Sequence, residues 1–385
     1  MEPVLILVAN RRSAIACARS LSRDGIDFYL AFEVERKDRG IAFRKYEKNV
    51  TFQYSVQNAK AFLNSLLAIS ERLGNYRLIL CSNATAKFAS KFQETLKQNG
   101  ITVDVGKHDA YRLLSNKYEF LDYSEKFGLP IPKRLDYNDV IKDSFLFKFV
   151  VKPKEDGLSP MEGLQTPFLV ETDRAFEKLK SLNLNPIYHF VEKYISGPSY
   201  YYCAYYCSGL RKACFTQKTL AQRPGGGSVV KAIPYDLPQE LTARIDKLMH
   251  SINWQGAMMV EFKESRGNYF VIECNPRYWG PLQLAIDNGV NFPLISCGVE
   301  ATCQIENGRN FGYLWIGGYV LGFIAKLKNR GSFQIHRDSR CKAVKFRDIW
   351  ARSDTLPHFF LEIPLFLAGV LTRLCKRTKE LILPN

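Results

Sequence analysis

Val4-Leu5-Ile6-Leu7-Val8-Ala9 is an unbroken apolar run near the start of the chain, the pattern of a parallel strand buried on both faces. Helical spacing follows over 13–23 and stops at Gly25. Phe28 to Phe32 reads as a second strand, 58–73 as a helix with Gly74 as C-cap, Leu78 to Cys81 as a strand, and 84–98 as a helix ending at Gly100. Strands and helices alternating at this length predict a doubly wound α/β sheet over residues 1–110.

Beyond Tyr111 the pattern changes. Ser115 is placed to cap a helix running to about Phe127, which Gly128-Leu129-Pro130-Ile131-Pro132 breaks. Strands are expected over 145–152, 187–195 and 200–207, and helices over 173–182 and 238–252. An antiparallel pair, 257–263 with 268–274, turns at Ser265-Arg266-Gly267. Residues 111–310 therefore read as α+β, with a smaller unit at about 145–195, and 311–385 forms a C-terminal extension.

The first strand runs into Asn10-Arg11-Arg12-Ser13 rather than a glycine-rich turn. A backbone without those glycines cannot approach a pyrophosphate as dinucleotide sites require, so NAD and FAD are not expected. No G-x-x-x-x-G-K-[ST] occurs, which excludes a P-loop.

Charge alters this picture at one end. The net charge is +16, and from Phe323 to Asn385 there are 13 Lys/Arg against 5 Asp/Glu. Leu356 to Leu371 is the most apolar stretch, interrupted by Glu362 and Pro364, with basic residues on both flanks. An apolar face with flanking cations suits an interfacial segment on anionic lipid; a terminal helix packed on the core with a solvated basic face suits it equally. No run of 18 uncharged apolar residues exists, so no spanning helix is expected. Ten cysteines occur without C-x-x-C spacing; they read as small buried hydrophobes rather than zinc ligands, in a reducing cytoplasm. Nucleic-acid binding has no recognition motif to support it.

The chemistry concentrates in the middle. Glu261 interrupts Met258-Met259-Val260-Glu261-Phe262, and Glu273 interrupts an apolar strand that continues Glu273-Cys274-Asn275-Pro276-Arg277. Unpaired carboxylates in such strands are costly. A hard divalent cation such as Mg²⁺, taking oxygens from Glu261, Glu273 and the Asn275 amide, removes that cost; the plainer alternative is a pair of outward-facing acids. Glu273, Asn275 and Arg277 share one side of an extended segment. Lys152 ends Val150-Val151-Lys152-Pro153, and Lys117 sits in the first turn of its helix; lysine suits phosphate oxygens. A polar loop with Gly157 and Gly163 follows Lys152, able to close over a nucleotide. In Val191-Glu192-Lys193-Tyr194-Ile195, Glu192 and backbone groups can meet an adenine edge while Ile195 packs on the ring. In Gln222-Arg223-Pro224-Gly225-Gly226-Gly227, three glycines let a backbone approach a ligand closely or form a flexible hairpin, and Lys218 is a weaker candidate on the same path.

The order of these motifs, Lys117, V-V-K-P, V-E-K-Y-I, Glu261 and E-C-N-P-R, resembles the ATP-grasp superfamily over about residues 1–300, most closely the branch with biotin carboxylase, carbamoyl phosphate synthetase and carboxylate–amine ligases. The resemblance implies a pre-ATP-grasp α/β domain followed by an ATP-grasp fold of two α+β subdomains. It implies ATP with Mg²⁺ (Mn²⁺ as a substitute), and an acyl phosphate displaced by an amine or a thiol. Lys117 and Lys152 would hold phosphates, Glu192, Lys193 and Ile195 the adenine, Glu261, Glu273 and Asn275 the metal, and Arg277 the transferring group. In similar ligases a loop at the place of Arg223 faces the acceptor substrate, with an Arg able to pair with a carboxylate. Many relatives place an acid for the ribose where this chain has Ser199, and the glycine loop here is poorer than in biotin carboxylase and contains Pro160.

The expected function is an ATP-dependent carboxylate–amine ligase acting on small or lipid-linked substrates, cytoplasmic or peripheral at the inner face of the membrane, with a homodimer compatible. The alternative from another class is a membrane- or nucleic-acid-associated binding protein built on a non-catalytic ATP-grasp fold.

Overall fold

A computed structural model describes residues 1–34, 41–46, 51–55, 58–142, 146–157, 163–182, 184–223, 228–299, 311–327, 334–362 and 364. The first unit is built from β1 (Val4–Val8), α1 (Arg11–Arg23), β2 (Phe28–Glu33), β3 (Thr51–Tyr54), α2 (Ala59–Leu73), β4 (Tyr76–Leu80), α3 (Asn83–Lys91), α4 (Gln93–Gln98) and β5 (Ile101–Val103). Its sheet has the order β3-β2-β1-β4-β5 with every pairing parallel. Both faces are covered, which is why β1 carries no polar residue. Val4, Ile6 and Val8 pack with α1, whereas Leu5 and Leu7 pack with α2 and α3. The connection reverses between β1 and β4, and the Asn10 side chain there caps α1 by accepting from the Arg12 amide at 3.2 Å.

Two helices lead onward, α5 (His108–Ser115) and α6 (Lys117–Glu125). The expected cap moves by one residue. Ser115 closes α5, and the Asn116 side chain caps α6 by accepting from the amides of Tyr118 and Glu119 at 3.1 and 3.0 Å. Either residue can cap; the second helix starts where the chain turns toward the loop after Lys152, since the Lys117 amide donates to Lys154 O at 2.7 Å.

The small sheet comprises β6 (Arg134–Leu135), β7 (Phe149–Pro153), β8 (Phe168–Val170) and β9 (His189–Lys193), in the order β6-β9-β7-β8, with α7 (Tyr137–Lys142) and α8 (Asp173–Ser181) against it. Strand β7 starts at Phe149, four residues later than its apolar run suggests.

The large sheet contains β10 (Ser199–Cys207), β11 (Leu210–Gln222), β12 (Val229–Pro234), β13 (Gly256–Ser265) and β14 (Asn268–Asn275), with α9 (Gln239–Ser251), α10 (Leu282–Asp287) and α11 (Phe292–Ser296) around it. The chain then returns to it with β15 (Phe311–Leu314), α12 (Ile316–Leu327), β16 (Gln334–Ile335) and β17 (Lys345–Asp348). The order is β14-β13-β10-β11-β12-β15-β17, with β16 on β11. The segment read from sequence as an appended extension thus continues the sheet. It is also tied to α1: Arg19 meets Asp354 at 2.6 Å, Thr355 at 2.6 Å and Ile349 O at 2.8 Å.

Register decides which side chains share a face. Glu273, Glu261, Tyr201 and Gln217 stand in one row across β14, β13, β10 and β11. Tyr200, Tyr202, Val260 and Phe262, on the other face, pack with Leu241, Ile245 and Leu248 of α9.

Candidate active site

The small and large sheets present charged residues to one another. On the small sheet, Lys152 lies on the same face as Glu192, two residues along and one strand over. Both are buried, and Lys152 Nζ forms an ion pair with Glu192 Oε1. The pair is incompletely satisfied: Glu192 Oε2 has no hydrogen-bond partner among the described residues. Burial, only partly offset by Lys152, pushes the Glu192 carboxyl above its usual range. Buried polar atoms without partners are rare in native proteins and call for an occupant.

On the large sheet, Glu261 and Glu273 are register partners. Glu261 is buried, and burial followed by the Glu273 charge raises its proton affinity; Lys263 and Ser199 work the other way. The Ser199 hydroxyl donates to Glu261 Oε1 at 2.6 Å and lies 3.2 Å from Gln222 Oε1. Asn275 Nδ2 donates to Glu273 Oε1 at 2.9 Å, and its Oδ1 accepts from Arg277 NH2 at 2.9 Å. Among the described residues no three His, Cys, Asp or Glu gather as a metal cluster. The donor set here is two carboxylates and an amide, with remaining positions open to phosphate oxygens, which fits Mg²⁺.

Lys117 bridges the two regions. Buried at the start of α6, it ion-pairs with Asp156 in the loop after β7 and lies 3.6 Å from Glu273 Oε2. Burial lowers its affinity for a proton, but Glu273 and Asp156 outweigh that and hold it above the ordinary lysine value. Arg277 donates through Nε to Asn83 Oδ1 and through NH1 to Tyr278 O at 2.9 Å, and Asn83 Nδ2 donates to Asp156. Asn83 and Asp156 were not singled out from sequence. Asp156 sits in the recognised loop, but Asn83 opens an unremarkable helix 194 residues before Arg277.

The other predicted residues divide. Lys193 is exposed and its amide donates to Lys133 O at 2.9 Å, leaving backbone rather than side chain near the hinge; Ile195 is half-buried. Arg223 is half-buried at the end of β11. Lys218 does not join the acids. It pairs in register with Tyr200, on the opposite face from Glu261, where its Nζ donates to Asp338 at 2.8 Å and lies 5.5 Å from the Tyr200 ring centre. β-strand alternation sets residue 218 on the face opposite 217, apart from Glu261. Residues 158–162 of the glycine loop, including Pro160, and Pro224 to Gly227 lie outside the described residues.

No protein-family model and no curated protein sequence matches the chain. Solved structures do. A biotin carboxylase complex from Campylobacter jejuni aligns with a TM-score of 0.57 at 16% identity, covering 78% of this chain and 71% of that one. The Hydrogenobacter thermophilus 2-oxoglutarate carboxylase biotin carboxylase domain dimer, solved with MgADP and bicarbonate, aligns at 0.57 and 15% identity, covering 78% and 69%. An L-amino acid ligase from Bacillus licheniformis aligns at 0.58 and 14% identity, covering 81% and 79%. A parallel α/β sheet followed by a small antiparallel sheet and a large, mainly antiparallel one is the fold that the chain shares with these ATP-grasp ligases.

Proposed function

We propose that the chain is an ATP-dependent ligase that joins a carboxylate to an amine. One observation carries the reading: Lys152 and Glu192 on the small sheet oppose Glu261, Glu273 and Asn275 on the large one, with Lys117 reaching Glu273. In this reading residues 1–110 are a pre-ATP-grasp domain and 111–310 the ATP-grasp unit, its small part at about 145–195. ATP lies between the sheets, its adenine against Glu192, the Lys193 backbone and Ile195, near Ser199, and its phosphates on Lys117 and Lys152. Mg²⁺ held by Glu261, Glu273 and Asn275 would neutralise triphosphate oxygens, and Mn²⁺ can take the same ligands.

A carboxylate oxygen attacks the γ-phosphorus, the bond to the β,γ-bridging oxygen breaks, and ADP leaves. Arg277, fixed by Asn83, Asn275 and the Tyr278 carbonyl, stabilises charge on the transferring group. The amine then attacks the acyl carbon and loses a proton as inorganic phosphate departs; a thiol is the other nucleophile this activation serves. Arg223 pairs with a substrate carboxylate. The test is a screen for ADP release followed by transfer of ¹⁸O from a labelled carboxylate. Label appearing in the released phosphate supports the acyl phosphate; ADP release with unlabelled phosphate contradicts it.

A second reading concerns location. Phe323, Ile335, Leu356, Phe360 and Leu361 are exposed by 52, 55, 44, 67 and 41%, and all lie in the terminal part of the chain. Among the described residues no helix is long and apolar enough to cross a membrane. These side chains, within a segment carrying excess Lys and Arg, would seat the enzyme on an anionic surface and bring lipid-linked substrates within reach. Residues 365–371 of the apolar stretch lie outside the described residues.

A further inference from the structure

Arg12 is a charge that the ligase chemistry above leaves unused. It lies in the first turn of α1, and its side chain is only 8% exposed. Its NH1 donates to Val229 O at 2.8 Å and to the Tyr313 hydroxyl at 3.3 Å, and its guanidinium lies 4.3 Å from the centre of the Trp315 ring. Gly280 makes room for it, because a Cβ there would come within 2.7 Å of NH2. All these contacts are to neutral groups. They satisfy donors and cover the guanidinium face, yet none cancels the charge. Glu362 lies within electrostatic reach of Arg12 but makes its hydrogen bond elsewhere, accepting from Trp315 Nε1 at 2.7 Å, and burial raises its proton affinity despite the Arg12 charge.

Arg223 belongs to the hairpin that Arg12 touches, since Val229, whose carbonyl accepts from Arg12, pairs in register with Gln222. It follows Gln222 on β11, and its amide closes the hairpin onto Ser228 O at 3.2 Å. Its guanidinium forms no hydrogen bond or ion pair among the described residues, and both burial and the Arg12 charge act against its own. Two guanidiniums brought together without a carboxylate between them cost free energy in the empty protein. That cost is recovered when an oxyanion enters, since planar guanidinium forks grip carboxylate or phosphate oxygens in pairs. The location suits a substrate. Gln222, the neighbour of Arg223, lies 3.2 Å from Ser199 Oγ, which donates to Glu261, so the end of β11 that leads into Arg223 meets the row of Glu261.

We propose that Arg12 and Arg223 together recognise a second oxyanion, a carboxylate or phosphate that the substrate carries in addition to its reacting group. This rests on the ligase reading and narrows its substrate class to molecules with at least two acidic groups. The reacting carboxylate is a poor occupant, because two guanidiniums would engage the lone pairs it needs for attack on phosphorus.

The test uses the full chain saturated with Mg²⁺ and the β,γ-imido analogue of ATP, so that triphosphate positions are filled. Glutarate and inorganic phosphate are then titrated calorimetrically at low salt. Wild type binds at least one of them at a single site. Arg223→Gln and Arg12→Gln each weaken that binding tenfold or more and leave analogue affinity within twofold, while Arg12→Lys retains part of it. Arg223→Gln removes no described hydrogen bond, so it keeps the test valid if Arg12→Gln melts early. In ADP-release assays, substrates with a second acid group show the same rise in KM and those with the reacting carboxylate alone do not, which separates a substrate anchor from a site for free phosphate. Binding of neither probe, or binding unchanged in Arg223→Gln, overturns the oxyanion site while leaving the ATP reading intact. Loss of analogue binding with arginine-dependent glutarate binding preserved would overturn the ATP reading instead.

Discussion

Glu261 and Glu273 stand directly opposite one another across the β13–β14 ladder, and a bulge immediately follows the pair between Glu261 and Phe262. Like charges in directly opposed positions destabilise a sheet, and in the proposed function a bound cation shared by the two relieves that cost. Glu273→Gln is expected to abolish ADP release, because it removes one of the two metal carboxylates where the triphosphate charge must be offset. Steady-state turnover measures this, and a variant as active as wild type rules out the metal assignment.

Arg277 is held by three neutral acceptors, Asn83 Oδ1, Asn275 Oδ1 and Tyr278 O, with the Asp156 and Glu273 charges within electrostatic reach. Arg277→Lys should lower kcat by roughly 10²-fold, the order expected for losing a charge-stabilising donor, and change ATP affinity little. A collapse of ATP affinity with kcat spared assigns Arg277 to ground-state binding.

Asn83 joins the first sheet unit to the site by accepting from Arg277 and donating to Asp156. Asn83→Ala should cost about 10–100-fold in turnover, as removal of a residue that orients active groups does. The loss should fall on kcat, with the KM for ATP nearly unchanged. Equal turnover in Asn83→Ala and wild type shows that Arg277 needs no such support.

These cases show what sequence carries and what it does not. Glu261 and Glu273 are legible because an acid inside an apolar strand is locally anomalous, and Lys152 because it ends such a strand before a proline. The parallel sheet is legible from the uninterrupted apolar run of β1. The face that Lys218 takes is not legible, because it depends on the registers of β10 against both β11 and β13, which no local pattern encodes. The strands β15 and β17 were missed for the same reason: their partners are distant, with Tyr313 pairing Ala232 and Phe346 pairing Gly312. Asn83 and Arg12 act across long chain separations, so their neighbours in sequence say nothing of them.

Asp338 fastens β16 and the turn after it to the large sheet. It takes a two-point contact from Arg340, at 2.9 and 2.7 Å, and a bond from Lys218 at 2.8 Å. The Arg340 hydrogen bonds, with Lys218 in support, hold its carboxyl well below the usual range. Its folded value is depressed, so its contribution to stability is present above the unfolded value of about 4 and is lost as pH falls toward the folded one. Melting temperature followed from pH 7 to pH 2 should fall less steeply below pH 4 in Asp338→Asn than in wild type. Parallel curves would show that the contact adds no pH-dependent stability.

The exposed Phe323, Leu356, Phe360 and Leu361 invite a lipid test. Several nearby cations are already engaged: Arg352 meets Asp287 at 2.5 Å, Arg340 meets Asp338, and Arg347 lies 3.5 Å from the Phe311 ring centre. Full-length protein should float with anionic liposomes at low salt, and less as salt rises. Phe360→Ser with Leu361→Ser, both on the exposed side, should stay in the soluble fraction while melting as wild type does. If both proteins remain soluble, the surface is not a lipid anchor.

The central claim is that a nucleotide with its metal lies between the Lys152–Glu192 pair and the Glu261–Glu273 pair. Calorimetric titration with the β,γ-imido analogue of ATP tests it most directly, in Mg²⁺ and in EDTA, on wild type and on Glu261→Gln/Glu273→Gln. Wild type should bind one equivalent and lose affinity at least tenfold in EDTA, and the double variant should bind weakly and alike in both. Equal affinity in all four titrations, or no binding by wild type, would contradict the account.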